Sequence, residues 1–172
     1  MKRRQLEVAR ESLGRGPVHR FADPLDPSIP RVAAGCYTIW DADQMFLYAG
    51  MAGRSMTALS IATARTNPSA RASGLASRLR SHQNGRRSGD QFCVYVFDLF
   101  VLPLLSRQDI AEVLQRDRRL DDDVRTYVRQ HLSYRWHETP DATNAFELER
   151  ILVCEGLAGS LPFINPGRPE AP

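Results

Sequence analysis

Two short elements, Gly35-Cys36-Tyr37 and Tyr48-Ala49-Gly50, flank the ten-residue stretch Thr38-Ile39-Trp40-Asp41-Ala42-Asp43-Gln44-Met45-Phe46-Leu47. The stretch reads as the end of one strand, a polar turn and the start of the next, with strands at about Gly35 to Asp41 and Met45 to Gly50. In such a hairpin Tyr37 and Tyr48 stand on neighbouring antiparallel strands, close in space. Two phenols side by side at a sheet edge build a poor core. They suit the orientation of a water and a phosphate.

At 172 residues with 42% hydrophobic content, the chain is one domain with extensions around a single core. No apolar run approaches the roughly 18–20 residues that span a bilayer. The basic start, Met1-Lys2-Arg3-Arg4, leads into no signal-peptide apolar stretch, so a cytoplasmic protein is expected, with no membrane partner. Cys36, Cys93 and Cys154 are odd in number and widely spaced. They indicate neither a disulfide framework nor a zinc site, but reduced, mostly buried thiols.

Net charge is only +3, yet Lys2 is the sole lysine among 23 basic residues. Arginine presents a planar fork of donors that grips phosphate oxygens in pairs. Codon bias in a GC-rich genome accounts for much of the excess, but the distribution says more. Arg65, Arg71, Arg78, Arg80, Arg86 and Arg87 share a stretch with no acidic residue between Asp43 and Asp90. A basic segment of this length reads as a contact surface for a polyanion.

Residues 1–30 read as a short helix followed by a linker carrying Pro17, Pro24, Pro27 and Pro30. Helices are expected over about 54–65, 73–83, 106–116 (capped by Ser106) and 121–131. A last long helix carries Phe146, Leu148, Leu152 and Val153, capped by Thr143 or Asn144. The alternation through Phe92-Cys93-Val94-Tyr95-Val96-Phe97 reads as a third strand, apolar on both faces and central in its sheet. Tyr134-Arg135-Trp136 reads as a short extended segment, and the tail, 168–172, as disordered.

The paired elements resemble the signature of the GIY-YIG nuclease family, here as GCY and YAG. Later residues arrive in the family's order: Arg78-Leu79, then Glu149 in Phe146-Glu147-Leu148-Glu149, then Asn165 in Phe163-Ile164-Asn165-Pro166. The resemblance covers about 31–167 and implies an α+β fold, a small three-stranded antiparallel sheet flanked by helices in the order β-β-α-β-α-α. Its implied activity is metal-dependent hydrolysis of DNA phosphodiester bonds. Glu149 would be the one protein ligand of Mg²⁺ or Mn²⁺, with Glu147 as fallback. Arg78 would contact the scissile phosphate or the departing oxygen, Tyr37 would orient or deprotonate the water, and Asn165 would brace the site. Tyr48 would hydrogen-bond water or phosphate. Arg78-x-x-x-His82 resembles the restriction-endonuclease branch, where the histidine assists proton transfer. Arg54 falls where relatives place a basic residue near the phosphate, and Met51 where many have lysine. Arg54, Arg71, Arg80, Arg86 and Arg87 are the expected DNA contacts. Segment 54–72 is an insertion relative to the family pattern.

Each position also has a plainer role. A helical glutamate commonly sits in a surface pair, a strand tyrosine keeps its hydroxyl wet, and a helix-terminal histidine answers the helix dipole. Two rival readings follow: an inactive nucleic-acid-binding module on the same fold, and an assembly protein whose arginines meet acidic partners. One active site cuts one strand, so double-strand cleavage would require a homo-oligomer.

Overall fold

A computed structural model describes residues 3–165; Met1, Lys2 and the tail expected to be disordered lie outside the described residues. The described residues form an α+β fold, with seven α-helices and a five-stranded, mostly antiparallel open sheet. Its centre is β2 (Val32–Trp40), whose nine residues are all buried. Side chains alternate across a strand, so Ala33, Tyr37 and Ile39 enter one hydrophobic cluster while Cys36 and Trp40 enter another. β3 (Phe46–Ala52) pairs with β2 antiparallel, Gly50 opposite Tyr37 and Tyr48 opposite Ile39, with a register shift before Trp40. β5 (Ser133–Thr139) pairs along the other side, Trp136 opposite Tyr37. β1 (His19–Arg20) extends β5, and β4 (Ser73–Gly74) runs parallel to the start of β2. The order β1-β5-β2-β3 leaves β3 at an edge.

Helices cover both faces. α3 (Leu75–Gln83), α4 (Gln91–Val96) and α6 (Leu120–His131) pack Leu75, Leu79, Phe92, Cys93, Val96, Val124 and Val128 against the Tyr37 face. α1 (Arg3–Arg15) and α7 (Ala142–Glu155) pack Ala9, Leu13, Ala145, Leu148 and Leu152 against the Cys36 face. α2 (Ala58–Thr66), within the expected insertion, buries only Ile61, and α5 (Arg107–Gln115) buries none of its residues. Among the described residues no helix is long and apolar enough to cross a membrane.

Several expectations are corrected. Residues 92–97 are not a strand: they form α4 and run into a π-helical turn, Phe97–Val101. The third long strand is β5, after α6, so the order β-β-α-β-α-α does not hold, and the sheet has five strands rather than three. An apolar run of six fits a buried helix as well as a buried strand, and here α3 and α6 supply the enclosing surface. Residues 17–30 are more than a linker, since β1 joins the sheet and Phe21 is fully buried. α7 is capped by Asp141, whose carboxylate accepts from the Asn144 N–H, and not by Thr143 or Asn144.

Candidate active site at the edge of β3

Five of the six expected site residues, Tyr37, Tyr48, Arg78, His82 and Glu149, are drawn together from β2, β3, α3 and α7, and the sixth, Asn165, expected to brace the site, holds the edge beside them. The pairing of Tyr37 with Gly50 sets Tyr48 diagonally across from Tyr37, ring centroids 6.3 Å apart. Gly50 is required there: a Cβ would stand 2.4 Å from Tyr37 Oη and 2.8 Å from Tyr48 Cε1. Gly74 opens α3 with φ +68, and a Cβ there would overlap the Ala33 carbonyl oxygen. Only glycine reaches this conformation so close to another backbone without strain, so Gly74 lets α3 spring directly from β4 against β2. α3 then carries Arg78 and His82 one turn apart toward the phenols.

His82 is 1% exposed. Its Nδ1 lies 2.7 Å from Asp90 Oδ2 and its Nε2 lies 2.7 Å from Tyr37 Oη. An ionised carboxylate only accepts, so Nδ1 carries the proton, Nε2 accepts, and Tyr37 O–H donates to it. Burial pulls the His82 pKa below its ordinary value against the opposing pull of Asp90, and Arg78 adds to the lowering. Phe92 closes the site, its ring 4.6 Å from His82 and 5.2 Å from Tyr48.

A phenol has an ordinary pKa near 10 and is a reluctant base unless neighbouring cations lower it. Arg78 does act in that direction on both tyrosines, but burial dominates and both phenols are pushed well up. Tyr37 is therefore a neutral phenol whose proton is held by the unprotonated Nε2 of His82.

Glu149 arrives by an unexpected route. α7 packs on the face opposite Tyr37, through Ala145, Leu148 and Leu152 and a Cys36 Sγ–H bond to the Ala145 carbonyl. Glu149 follows Leu148 at the border of the buried stripe and reaches the free edge of β3, where Oε1 accepts from the Met51 N–H at 2.9 Å. Glu149 is the strongest charged influence on Tyr48 and also acts on Tyr37. Burial raises its pKa, opposed by the Met51 N–H, Arg54 and Arg78. Asn165 grips the same edge two residues away, accepting from Ala49 N–H and donating to Ala49 C=O, both at 2.8 Å.

The implied Mg²⁺ or Mn²⁺ fits Glu149. Among the described residues Oε2 has no hydrogen-bond donor, and a partly desolvated carboxylate gains from a nearby cation. A single hard oxygen ligand suits a cation that keeps most of its waters. A different set, His82, Asp90 and Cys93, places its ligand atoms within 4.8 Å of one another and is wholly buried. An ion there would have to displace Asp90 or Tyr37 from the imidazole, so the geometry describes a hydrogen-bonded relay better than a metal centre.

The expected DNA contacts divide. Arg54, Arg71, Arg80 and Arg86 are exposed, and Arg71 and Arg80 line a cleft of about 690 Å³ with Arg31 beside α3. Arg87 is committed internally, bonded to Asp121 at 2.8 Å and stacked over Phe97. A cleft of about 870 Å³ lies elsewhere, between α1, the β2–β3 turn and the segment 157–163. Its basic floor, Arg135, is occupied by Gly16 O, Gln44 Oε1 and the Trp40 ring.

Asp90 is not legible in the sequence, because the alternation through 92–97 reads as a strand. As a helix, that run makes Asp90 its N-terminal flanking residue, eight positions after His82. Gly74 had no sequence signal beyond being a glycine before a helix. No protein-family model matches the chain, and no curated protein or solved structure does either.

Proposed function

We propose that the chain is a metal-dependent endonuclease of the GIY-YIG type that hydrolyses DNA phosphodiester bonds. One observation carries this reading: two phenols, an imidazole, a guanidinium and a carboxylate, drawn from four separate elements, act on one another at one sheet edge. A hydrophobic core requires no such convergence. On this reading β2, β3 and β5 stand for the family's three-stranded antiparallel sheet, with β1 and β4 added to it and the third strand placed after α6.

Each side chain has a task set by its surroundings. Tyr37 Oη takes a proton from the attacking water as its own proton passes to His82 Nε2, giving an imidazolium held by Asp90. The water oxygen bonds to phosphorus, the bond from phosphorus to the 3′ oxygen breaks, and that oxygen takes a proton from solvent. Arg78, half-buried and directed toward the phenols, is preorganised positive charge for the phosphoryl oxygens. Tyr48 fixes the water or a phosphate oxygen, and Asn165 holds the strand that carries Tyr48. A divalent cation at Glu149 would supply Lewis-acid stabilisation of the phosphate and leaving oxygen. Arg54, Arg71, Arg80 and Arg86 would receive the flanking backbone.

The test is incubation with supercoiled plasmid with and without Mg²⁺ or Mn²⁺. The wild type should nick only with metal. Glu149→Ala and Arg78→Ala should each slow nicking by on the order of 100-fold or more, with DNA affinity in Ca²⁺ little changed. Unchanged nicking by Glu149→Ala would sink the metal assignment. Salt-sensitive DNA binding with no nicking by the wild type would select the alternative, a nucleic-acid-binding module on this fold.

A further inference from the structure

We infer that Asp90 is the positioning residue of this site: it fixes His82 in the Nδ1–H tautomer, so that Nε2 is free to take the proton of Tyr37. The inference rests on the endonuclease reading above and deepens it. Asp90 stands at the N-cap position of α4, where an aspartate normally accepts from the first turn of its own helix. Here no side-chain cap bond forms. The Cys93 N–H still favours the carboxylate's charge, but it lies outside hydrogen-bond geometry, and among the described residues Oδ1 has no hydrogen-bond partner. Oδ2 instead accepts from His82 Nδ1 at 2.7 Å and Ser81 Oγ at 3.0 Å. A carboxylate 2% exposed thus forgoes its local helix to orient an imidazole 1% exposed. A helix start placed only for packing has no need of this.

Among the described residues, Asp90 is the one group that bonds Nδ1 and so can set the tautomer. Tyr37 on β2 binds the opposite nitrogen. Tyr48 on β3 meets the ring face at a centroid distance of 6.4 Å. Arg78 on α3 acts as a charge, and the Cys93 thiol on α4, 3.8 Å from the His82 carbonyl, stands beside both the imidazole and the Asp90 carboxylate as a weak donor that burial keeps protonated. From α6, Arg125 and Arg129 bond the carbonyls of Asn84 and Gln83 at the end of α3. Without a carboxylate at Nδ1, the imidazole can carry its proton on Nε2. It would then donate to Tyr37 and could not accept from it.

Two readouts test this on the full chain. In ¹⁵N NMR of the wild type, His82 should show a protonated Nδ1 and an unprotonated Nε2 at neutral pH. In Asp90→Asn the proton should shift to Nε2, while Asp90→Glu should keep the wild-type pattern. In single-turnover plasmid nicking, Asp90→Asn should be slowed by on the order of 100-fold or more, by the tautomer logic of hydrogen-bonded triads. Asp90→Glu should recover much of the rate. In a His82→Ala background Asp90→Asn should cost no further rate, and DNA affinity should hold within about twofold. An Nε2–H tautomer in the wild type overturns the inference even if no variant folds. So does a rate loss from Asp90→Asn that is equally large without His82. If the wild type shows the Nδ1–H tautomer and does not nick, the endonuclease reading fails while the positioning by Asp90 stands.

Discussion

Gly50 shows how little space the site allows. Its missing side chain is the room that Tyr37 Oη and the Tyr48 ring occupy, with clearances for a Cβ of 2.4 and 2.8 Å. Tyr37 is 2% exposed and bonded to His82, so it cannot swing aside without leaving its proton acceptor. Gly50→Ala should therefore destabilise by about 1–3 kcal/mol, the usual cost of overpacking a tight core. Urea melts would measure it. The larger expected effect is on chemistry, with nicking reduced far beyond what the unfolded fraction explains. A variant that melts lower but nicks at wild-type rate would separate Tyr37 from the reaction. The sequence made this much legible: the tyrosine and glycine of each element share a face once the hairpin pairs. It could not show that the glycine is the floor under the other strand's phenol, which depends on register.

At the scale of elements, the site depends on what happens to the free edge of β3. Ala49 and Met51 turn their outward backbone groups to Asn165 and Glu149, and Leu47 accepts from the Ile164 N–H. An exposed strand edge is ordinarily a liability. Here side chains from α7 and the segment after it close the edge and bring the carboxylate to the phenols. Asn165→Ala should release both Ala49 groups and cost about 1–3 kcal/mol, since it removes two bonds that each contribute a net of about 0.5–1.5 kcal/mol. Amide exchange at Ala49 should accelerate, and the nicking rate should fall more than DNA affinity. An Ala49 amide as protected as in the wild type would contradict the bracing role. The hairpin and α3 were legible because strand alternation and Leu75-Leu79 spacing are local signals. The third strand was not. β5 carries Arg135, His137 and Glu138, and Arg135 is buried at 7% exposure only because Trp40, Gly16 and Gln44 receive it. Those partners are distant in sequence, so from sequence the polar β5 reads as a short segment while apolar 92–97 reads as the strand.

The whole molecule carries the imidazole relay as a dependence of stability on pH. His82 has a folded pKa below its ordinary 6.5, with burial the largest cause, and His137 is shifted the same way by burial. For both, the unfolded chain binds protons at a higher pH than the folded one. Their contribution is complete above about 6.5 and is lost as pH falls toward the folded values. Glu149 has the opposite sign: its raised pKa means the folded chain takes a proton more readily, so the penalty on its charge is relieved as pH falls toward the acid range. Asp90, lowered because its hydrogen bonds from His82 and Ser81 outweigh burial, adds stability that disappears only below its ordinary 3.8. Between pH 7.5 and 5.5 the histidines therefore dominate among these groups, and Tm should fall across that range. His82→Gln should flatten the fall, leaving the part due to His137. Nicking by the folded protein should hold through the start of this fall and decline only as pH reaches the lowered folded pKa of His82, because Tyr37 can pass its proton only to a neutral Nε2. A Tm that rises from pH 7.5 to 5.5, or a slope untouched by His82→Gln, would mean that the imidazole is not held neutral by burial, and the relay would lose its proton acceptor.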